Sequence, residues 1–145
     1  MVAVAEELGL FAADKKTLFM LEPLNRYEQH YLRTQADGVR IIKSVSPEAQ
    51  KGMGLLSDFF HMHIEETNTP QAFIDAKGYT TAIHLADNTR QEPGTGDIDF
   101  VAGFKALKET GFDKYMAYEC GISGDDKAAS IQKSLAFVRD AISRA

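Results

Sequence analysis

Cysteine occurs once in the 145 residues, at Cys120, so no internal disulfide staples the chain. A reducing compartment, the cytoplasm, is the expected setting. Nor does any apolar run approach the roughly 20 residues that span a bilayer. The opening MVAVAEELG is apolar, but it carries acidic residues and lacks a basic leading region, which argues against a signal peptide. Basic clusters of five or more are also absent. With 16 Lys and Arg against 21 Asp and Glu, the net charge of −5 gives no general attraction to a phosphate backbone. Membrane and nucleic acid are therefore not expected partners. Proline is sparse, at four, and there is no low-complexity tract. What remains, 44% hydrophobic and 26% charged, is the composition of one globular domain. A chain of this length buries roughly 70% of its unfolded surface, enough for a real core.

What is present is a rhythm. Four polar residues each end a short apolar run: Glu22 after TLFML, Asp58 after GMGLLS, His84 after TTAI and Glu119 after YMAY. They stand 36, 26 and 35 residues apart, with an amphipathic helical stretch in each gap. Residues 2–12 read as a helix ended by DKK. The first strand, KTLFMLEPL, closes at Pro23 near Leu24. A helix follows with Ala36, Val39, Ile42 and Val45 on one face, Thr34 as N-cap and Ser46-Pro47 as its end. KGMGLLSDFFHM reads as the second strand, and TPQAFIDAKG as a short helix with Pro70 in its first turn. TTAIHLAD is the third strand. The helix DFVAGFKALKETG follows, with Phe100, Phe104, Leu107 and Lys108 on one face and Gly111 as its cap. KYMAYEC is the fourth strand, and a last helix from about Asp126 to Ser143 is expected to bury Ile131, Leu135, Val138 and Ile142.

A helix followed by four β/α units implies an α/β fold with four parallel strands and right-handed crossovers. Chemistry in such folds sits at the C-terminal strand ends. Three carboxylates and one imidazole gathered there point to a divalent metal site. Oxygen-rich ligation of this kind favours Mn²⁺ or Mg²⁺, with Co²⁺ and Zn²⁺ as alternatives. Other features carry less. His61 and His63 form H-x-H, which on a strand would place both rings on one face; His63 is expected to line the pocket rather than bind metal. Gly94 and Gly96 in EPGTGD shape a turn, since no strand-to-helix glycine fingerprint follows. Cys120 reads as a small buried residue at a strand end, His30 as a surface histidine, and Glu65 and Glu66 as a solvated loop.

LEPLNRYE, SDFFHMHIEE, HLADNTRQEPGTGDIDF and YECG, in this order, resemble the C-terminal half of the xylose-isomerase-like sugar isomerases and epimerases. Within that family they are most similar to the ketose 3-epimerases of the D-tagatose and D-psicose type. The resemblance runs from about Thr17 to the C-terminus. It implies half of a (β/α)8 barrel and one divalent ion, Mn²⁺ first with Co²⁺ or Mg²⁺ as alternatives, held by Glu22, Asp58, His84 and Glu119. It also implies that Glu28, His61 and Arg90 contact a ketose or related small sugar. Proton removal beside a carbonyl would pass through an enediolate, with Glu22 and Glu119 as base and acid by turns. The family commonly has Asn where His63 stands. Hydroxypyruvate isomerase and inosose dehydratase are nearby relatives, and the acidic balance separates the chain from the endonuclease IV type.

A closed barrel needs eight strands, and this chain supplies four. Residues 1–145 are therefore expected to form a single C-terminal half-barrel domain without an N-terminal half. Unpaired edges and an open inner face, assigned to residues such as Leu56 and Ile83, would favour a homodimer or pairing with the missing half. The competing expectation is a half-barrel that self-assembles, retains metal binding and turns nothing over.

Overall fold

A computed structural model describes residues 2–145; Met1 lies outside them. The chain runs α1 (Val2–Asp14), β1 (Phe19–Leu21), α2 (Gln35–Lys43), α3 (Pro47–Gln50), β2 (Met53–Asp58), α4 (Phe59–Glu65), α5 (Thr69–Asp75), β3 (Thr80–Leu85), α6 (Phe100–Thr110), β4 (Met116–Tyr118) and α7 (Lys127–Arg144). The four strands form one sheet in the order β1-β2-β3-β4, every pair parallel. The α/β architecture expected from the strand-helix rhythm is thus present.

Local chemistry sets the helix limits. Thr34 caps α2 in a capping box: its hydroxyl accepts from Asp37 N–H, and the Asp37 carboxylate accepts from Thr34 N–H. Ser46, Asn68, Asp99 and Asp126 cap α3, α5, α6 and α7 through their side-chain oxygens. Gly111 ends α6 at φ +79°, a left-handed position that a Cβ would disfavour.

Strand alternation divides the sheet into two faces. Phe19, Leu21, Met53 and Leu55 face one way and join Val39, Ile41, Ile42, Val45 and Ala49 in one core cluster. Further along the same face, Ile83 and Leu85 pack with Phe59, Phe73, Phe100, Phe104 and Leu107. Phe59 is the hub of this cluster. Its ring centroid lies 5.2 Å from that of Phe73, 4.9 Å from Phe100 and 5.5 Å from Phe104. Full burial of such a side chain is worth about 1.5–3 kcal/mol. The opposite face carries Met20, Leu56, Ala82, His84 and Ala117, none of them fully buried.

Several expectations need correction. Ile83 does not line the open inner face. It is fully buried among the helices, because alternation places it opposite to its neighbour His84. The second apolar run is not one strand: β2 stops at Asp58, whose carboxylate accepts from Phe60 N–H and starts α4. On a helix, His61 and His63 no longer share a face; His61 is buried and His63 is exposed. In α2, Ala36 is exposed while Val39 and Ile42 are buried, and in α6 Lys108 is exposed beside buried Phe104 and Leu107. In α7 the buried stripe is Ser134, Val138 and Ala141; Leu135 and Ile142 are half-buried and Ile131 is exposed. A serine sits in that stripe because Pro93 O accepts its hydroxyl at 2.7 Å.

Candidate metal centre and active site

Glu22 follows β1 directly, Asp58 ends β2, His84 is the penultimate residue of β3, and Glu119 follows β4. The register pairs Asp58 with His84, and Glu119 N–H donates to Leu85 O across the next gap. Parallel strands in this register bring four distant residues to one rim. One ligand atom from each, all four together, lies within 4.8 Å of the others. His84 Nδ1 is 3.1 Å from Glu119 Oε2, 3.4 Å from Glu22 Oε1 and 3.9 Å from Asp58 Oδ2. An ion with ligand distances of about 2.1 Å spreads its donors up to about 4.2 Å apart, so the cluster is close to closing around one.

Two further observations fit a divalent ion. Glu22 Oε1 and His84 Nδ1 are buried yet have no hydrogen-bond partner, and both point into the cluster. Such atoms require a partner of some kind. The charges also leave room: three carboxylates against the single Arg90 guanidinium leave two negative charges. Burial pushes the Glu22 carboxyl above its ordinary range, and the Glu119 and Asp58 charges add to this against the pull of His84. The wholly buried Asp58 carboxyl is likewise raised by desolvation, which outweighs the opposing pull of Arg90 and His61.

Arg90 ties this rim together. Its guanidinium donates to Asp58 Oδ2 at 2.8 Å and pairs with Glu119 Oε2. Its backbone sits at φ +57°, an uncommon left-handed conformation for a non-glycine residue. The surrounding loop holds it there. Arg90 N–H donates to Asp87 O, Gly121 N–H donates to Arg90 O, and the Asp87 carboxylate accepts from the N–H groups of Asn88, Gly94 and Ile98. Gly96 allows this close turn: a Cβ there would meet Asp87 Oδ1 at 2.4 Å. The Arg90 guanidinium lies 4.7 Å from the Phe60 ring centroid, a cation–π contact.

His61 is buried beside the cluster, with Nε2 at 4.0 Å from Asp58 Oδ2, and desolvation holds its pKa below the usual value. Glu28 is half-exposed and accepts from Asn25 Nδ2 at 2.7 Å. All seven residues singled out from the sequence thus gather at one rim. His63 turns away toward Asp97, at 3.6 Å on the surface. Glu65 and Glu66 are not a solvated loop. Glu65 accepts from Arg26 N–H at 2.6 Å and pairs with its guanidinium, while Glu66 accepts from Gln35 N–H at 2.7 Å. Two contributors were missed, Phe60 and Asn25. Phe60 was hidden in an apolar run read as strand; Asn25 lies inside LNRYE, one step from residues already singled out. A groove of about 550 Å³ between α2 and α5 is lined by Val39, Arg40, Gln71 and Ala72 and touches none of the seven.

This arrangement, parallel β/α units with a carboxylate-rich rim at the strand ends, is a barrel-type architecture with a candidate metal site. A family model for the xylose isomerase-like TIM barrel matches residues 1–141, and the chain belongs to that family. Among curated relatives, a 3-dehydro-D-guloside 4-epimerase from Escherichia coli strain K12 is 40% identical over 128 residues, 88% of this chain and 48% of the relative. A D-psicose 3-epimerase from Ruminiclostridium cellulolyticum is 34% identical over 102 residues, 70% of this chain and 34% of the relative. The crystal structure of apo 3-keto-D-glucoside 4-epimerase from E. coli superposes with a TM-score of 0.89 at 37% identity, covering 96% of this chain and 52% of that one. The chain therefore spans between about a third and about half of the length of these relatives, and its fold is that of half a TIM barrel. These relatives are epimerases, members of the isomerase class.

Proposed function

We propose that this chain is the C-terminal, metal-binding half of a keto-sugar epimerase that removes and returns a proton beside a carbonyl. The observation that carries the proposal is the convergence of Glu22, Asp58, His84 and Glu119 within 4.8 Å, with Glu22 Oε1 and His84 Nδ1 buried and without hydrogen-bond partners. The activities of these relatives differ in position but share one chemistry. A ketose 3-epimerase inverts C3 beside a C2 carbonyl, and a 3-keto-sugar 4-epimerase inverts C4 beside a C3 carbonyl. In both, the proton removed is on the carbon next to a carbonyl.

Glu22, Asp58, His84 and Glu119 would hold the ion, Mn²⁺ first and Co²⁺ or Mg²⁺ as alternatives. When bound it supplies Lewis-acid stabilisation of negative charge developing on the sugar oxygens. The rest falls to the chain's own residues. Glu22 and Glu119 stand just past the ends of the two outer strands, and a sugar bound between them would present opposite faces to the two carboxylates. One takes the proton and the other delivers one to the far face. His61 and Arg90 donate hydrogen bonds to sugar oxygens, favouring the enediolate over the neutral ketone. Glu28 accepts from a sugar hydroxyl.

A second reading, metal binding without turnover, is favoured by the open inner face: Met20 on β1 is 40% exposed. A pocket closed around a sugar would then need a further half-barrel, from a second copy in a homodimer or from an N-terminal half. The two readings separate on one experiment. Metal-loaded protein is incubated with ketoses and with 3-keto glycosides, and product epimers are quantified. Epimer formation that is lost in both Glu22→Gln and Glu119→Gln supports the epimerase; metal binding with no epimer from either substrate class supports the second reading.

A further inference from the structure

We infer that Asn25 is a positioning residue that fixes His61 as the tautomer protonated at Nε2, so that a neutral imidazole offers its N–H toward the sugar side. The inference rests on the proposal that His61 contacts the substrate.

The geometry at Nδ1 decides the tautomer. Asn25 is almost wholly buried, and its backbone N–H, which can only donate, points at His61 Nδ1 at 3.3 Å. Its side-chain amide nitrogen lies 2.8 Å from the same atom. With two N–H groups facing it, Nδ1 must accept, and the ring proton is left on Nε2. The orientation of the Asn25 amide is fixed as well. Oδ1 accepts from Tyr27 N–H at 3.0 Å, while Nδ2 donates to Glu28 Oε1 at 2.7 Å. A flipped amide would set its oxygen against the Glu28 carboxylate and its NH₂ against another N–H, two repulsions in place of two bonds.

The two carboxylates nearest the ring are compatible with this assignment. Glu28 Oε1 lies 3.9 Å from Nδ1, but its nearer partner is the Asn25 amide, which serves both. On the other side Nε2 has no hydrogen-bond acceptor among the described residues, the nearest carboxylate oxygen being that of Asp58 at 4.0 Å. The free N–H therefore lies on the Asp58 side of the ring, beside the rim that the proposed function gives to the sugar. One amide thereby orients two substrate-contacting residues: it sets the donor of His61 and holds the acceptor of Glu28. Tautomer control by a neighbouring group is a common device around functional histidines.

The test is long-range ¹H–¹⁵N correlation spectroscopy of the full chain labelled at histidine nitrogens, metal-free and at a pH where the imidazole is neutral. The His61 signals are identified by their loss in His61→Gln. Wild-type protein is expected to show Nε2 in the protonated range and Nδ1 in the unprotonated range. Asn25→Asp places an acceptor against Nδ1 and is expected to move the proton there. Asn25→Ala, which keeps only the backbone donor, is expected to show intermediate shifts from tautomer exchange. A wild-type His61 protonated at Nδ1, or an Asn25→Asp spectrum unchanged from wild type in protein with a native-like circular dichroism melt, would overturn the inference. No substrate or turnover enters this readout. Failure of the epimerase proposal would show instead as the expected tautomer in a protein that forms no epimer.

Discussion

Adding Mn²⁺ to metal-stripped protein should raise its melting temperature by an amount set by the ion's concentration relative to its Kd. Glu22, Asp58 and Glu119 converge with donor atoms within 4.8 Å, and Arg90 offsets only one of the three charges. At an effective dielectric of 20, like charges 4 Å apart repel by about 4 kcal/mol, an upper bound for a half-exposed group such as Glu119. The folded, metal-free site therefore stores repulsion that an ion removes. An ion that binds only the folded state stabilises it by about 2.7 kcal/mol at a hundred times its Kd, which for a chain of this size is roughly 8–12 °C. Differential scanning fluorimetry with and without Mn²⁺, reversed by chelator, reads the shift. Asp58→Ala and His84→Ala should each abolish most of it, and taking the difference within each variant cancels any change in its own baseline stability. No shift in wild type at saturating Mn²⁺, or an undiminished shift in both variants, would refute the four-ligand assignment.

Further predictions concern the frame and its assembly. Gly103→Ala places a Cβ 2.4 Å from Phe59 Cε1, and this overpacking of about 1–3 kcal/mol outweighs a helix-propensity gain of up to about 1 kcal/mol, so the melting temperature should fall; a rise would contradict the packing of α6 on Phe59. Glu6 accepts from both the N–H and the hydroxyl of Ser46, bonds that depress its pKa. Its contribution to stability is therefore present above the unfolded carboxyl pKa and lost as pH falls through the folded one. The melting-temperature gap between wild type and Glu6→Gln should accordingly shrink from about pH 6 to about pH 3, and a constant gap would argue against the α1–α3 tie. Sedimentation should show a dimer, because both sheet edges are unpaired and Met20 and Tyr115 beside them are exposed; a monodisperse monomer would contradict this.

The convergence of Glu22, Asp58, His84 and Glu119 was legible in the sequence because its signal is local and repeated: each residue terminates an apolar run, and the parallel register then aligns the strand ends. The capping residues Thr34 and Gly111 were legible for the same reason, since a cap acts on backbone within a few positions. What escaped was decided elsewhere in the chain. FFHMH alternates like a strand, yet Asp58 caps it into α4, whose Phe59 fills the core between α5 and α6. Glu65 and Glu66 read as solvated because their partners, Arg26 and Gln35, lie more than 30 residues away. Ile83 was assigned to the wrong face although the parity of its neighbour His84 gives the right one. The α7 stripe centres on Ser134 because a carbonyl from the loop after β3 meets it, and helical periodicity cannot show that.

The most direct measurement is transfer of solvent deuterium. Metal-loaded protein is placed in D₂O with a keto sugar, and the product epimer is followed by proton NMR. Two-carboxylate chemistry at this rim predicts that the epimer appears with deuterium on the carbon next to the carbonyl, and that neither Glu22→Gln nor Glu119→Gln forms it. Epimer that retains its original proton throughout, or that forms undiminished in both variants, would contradict the account.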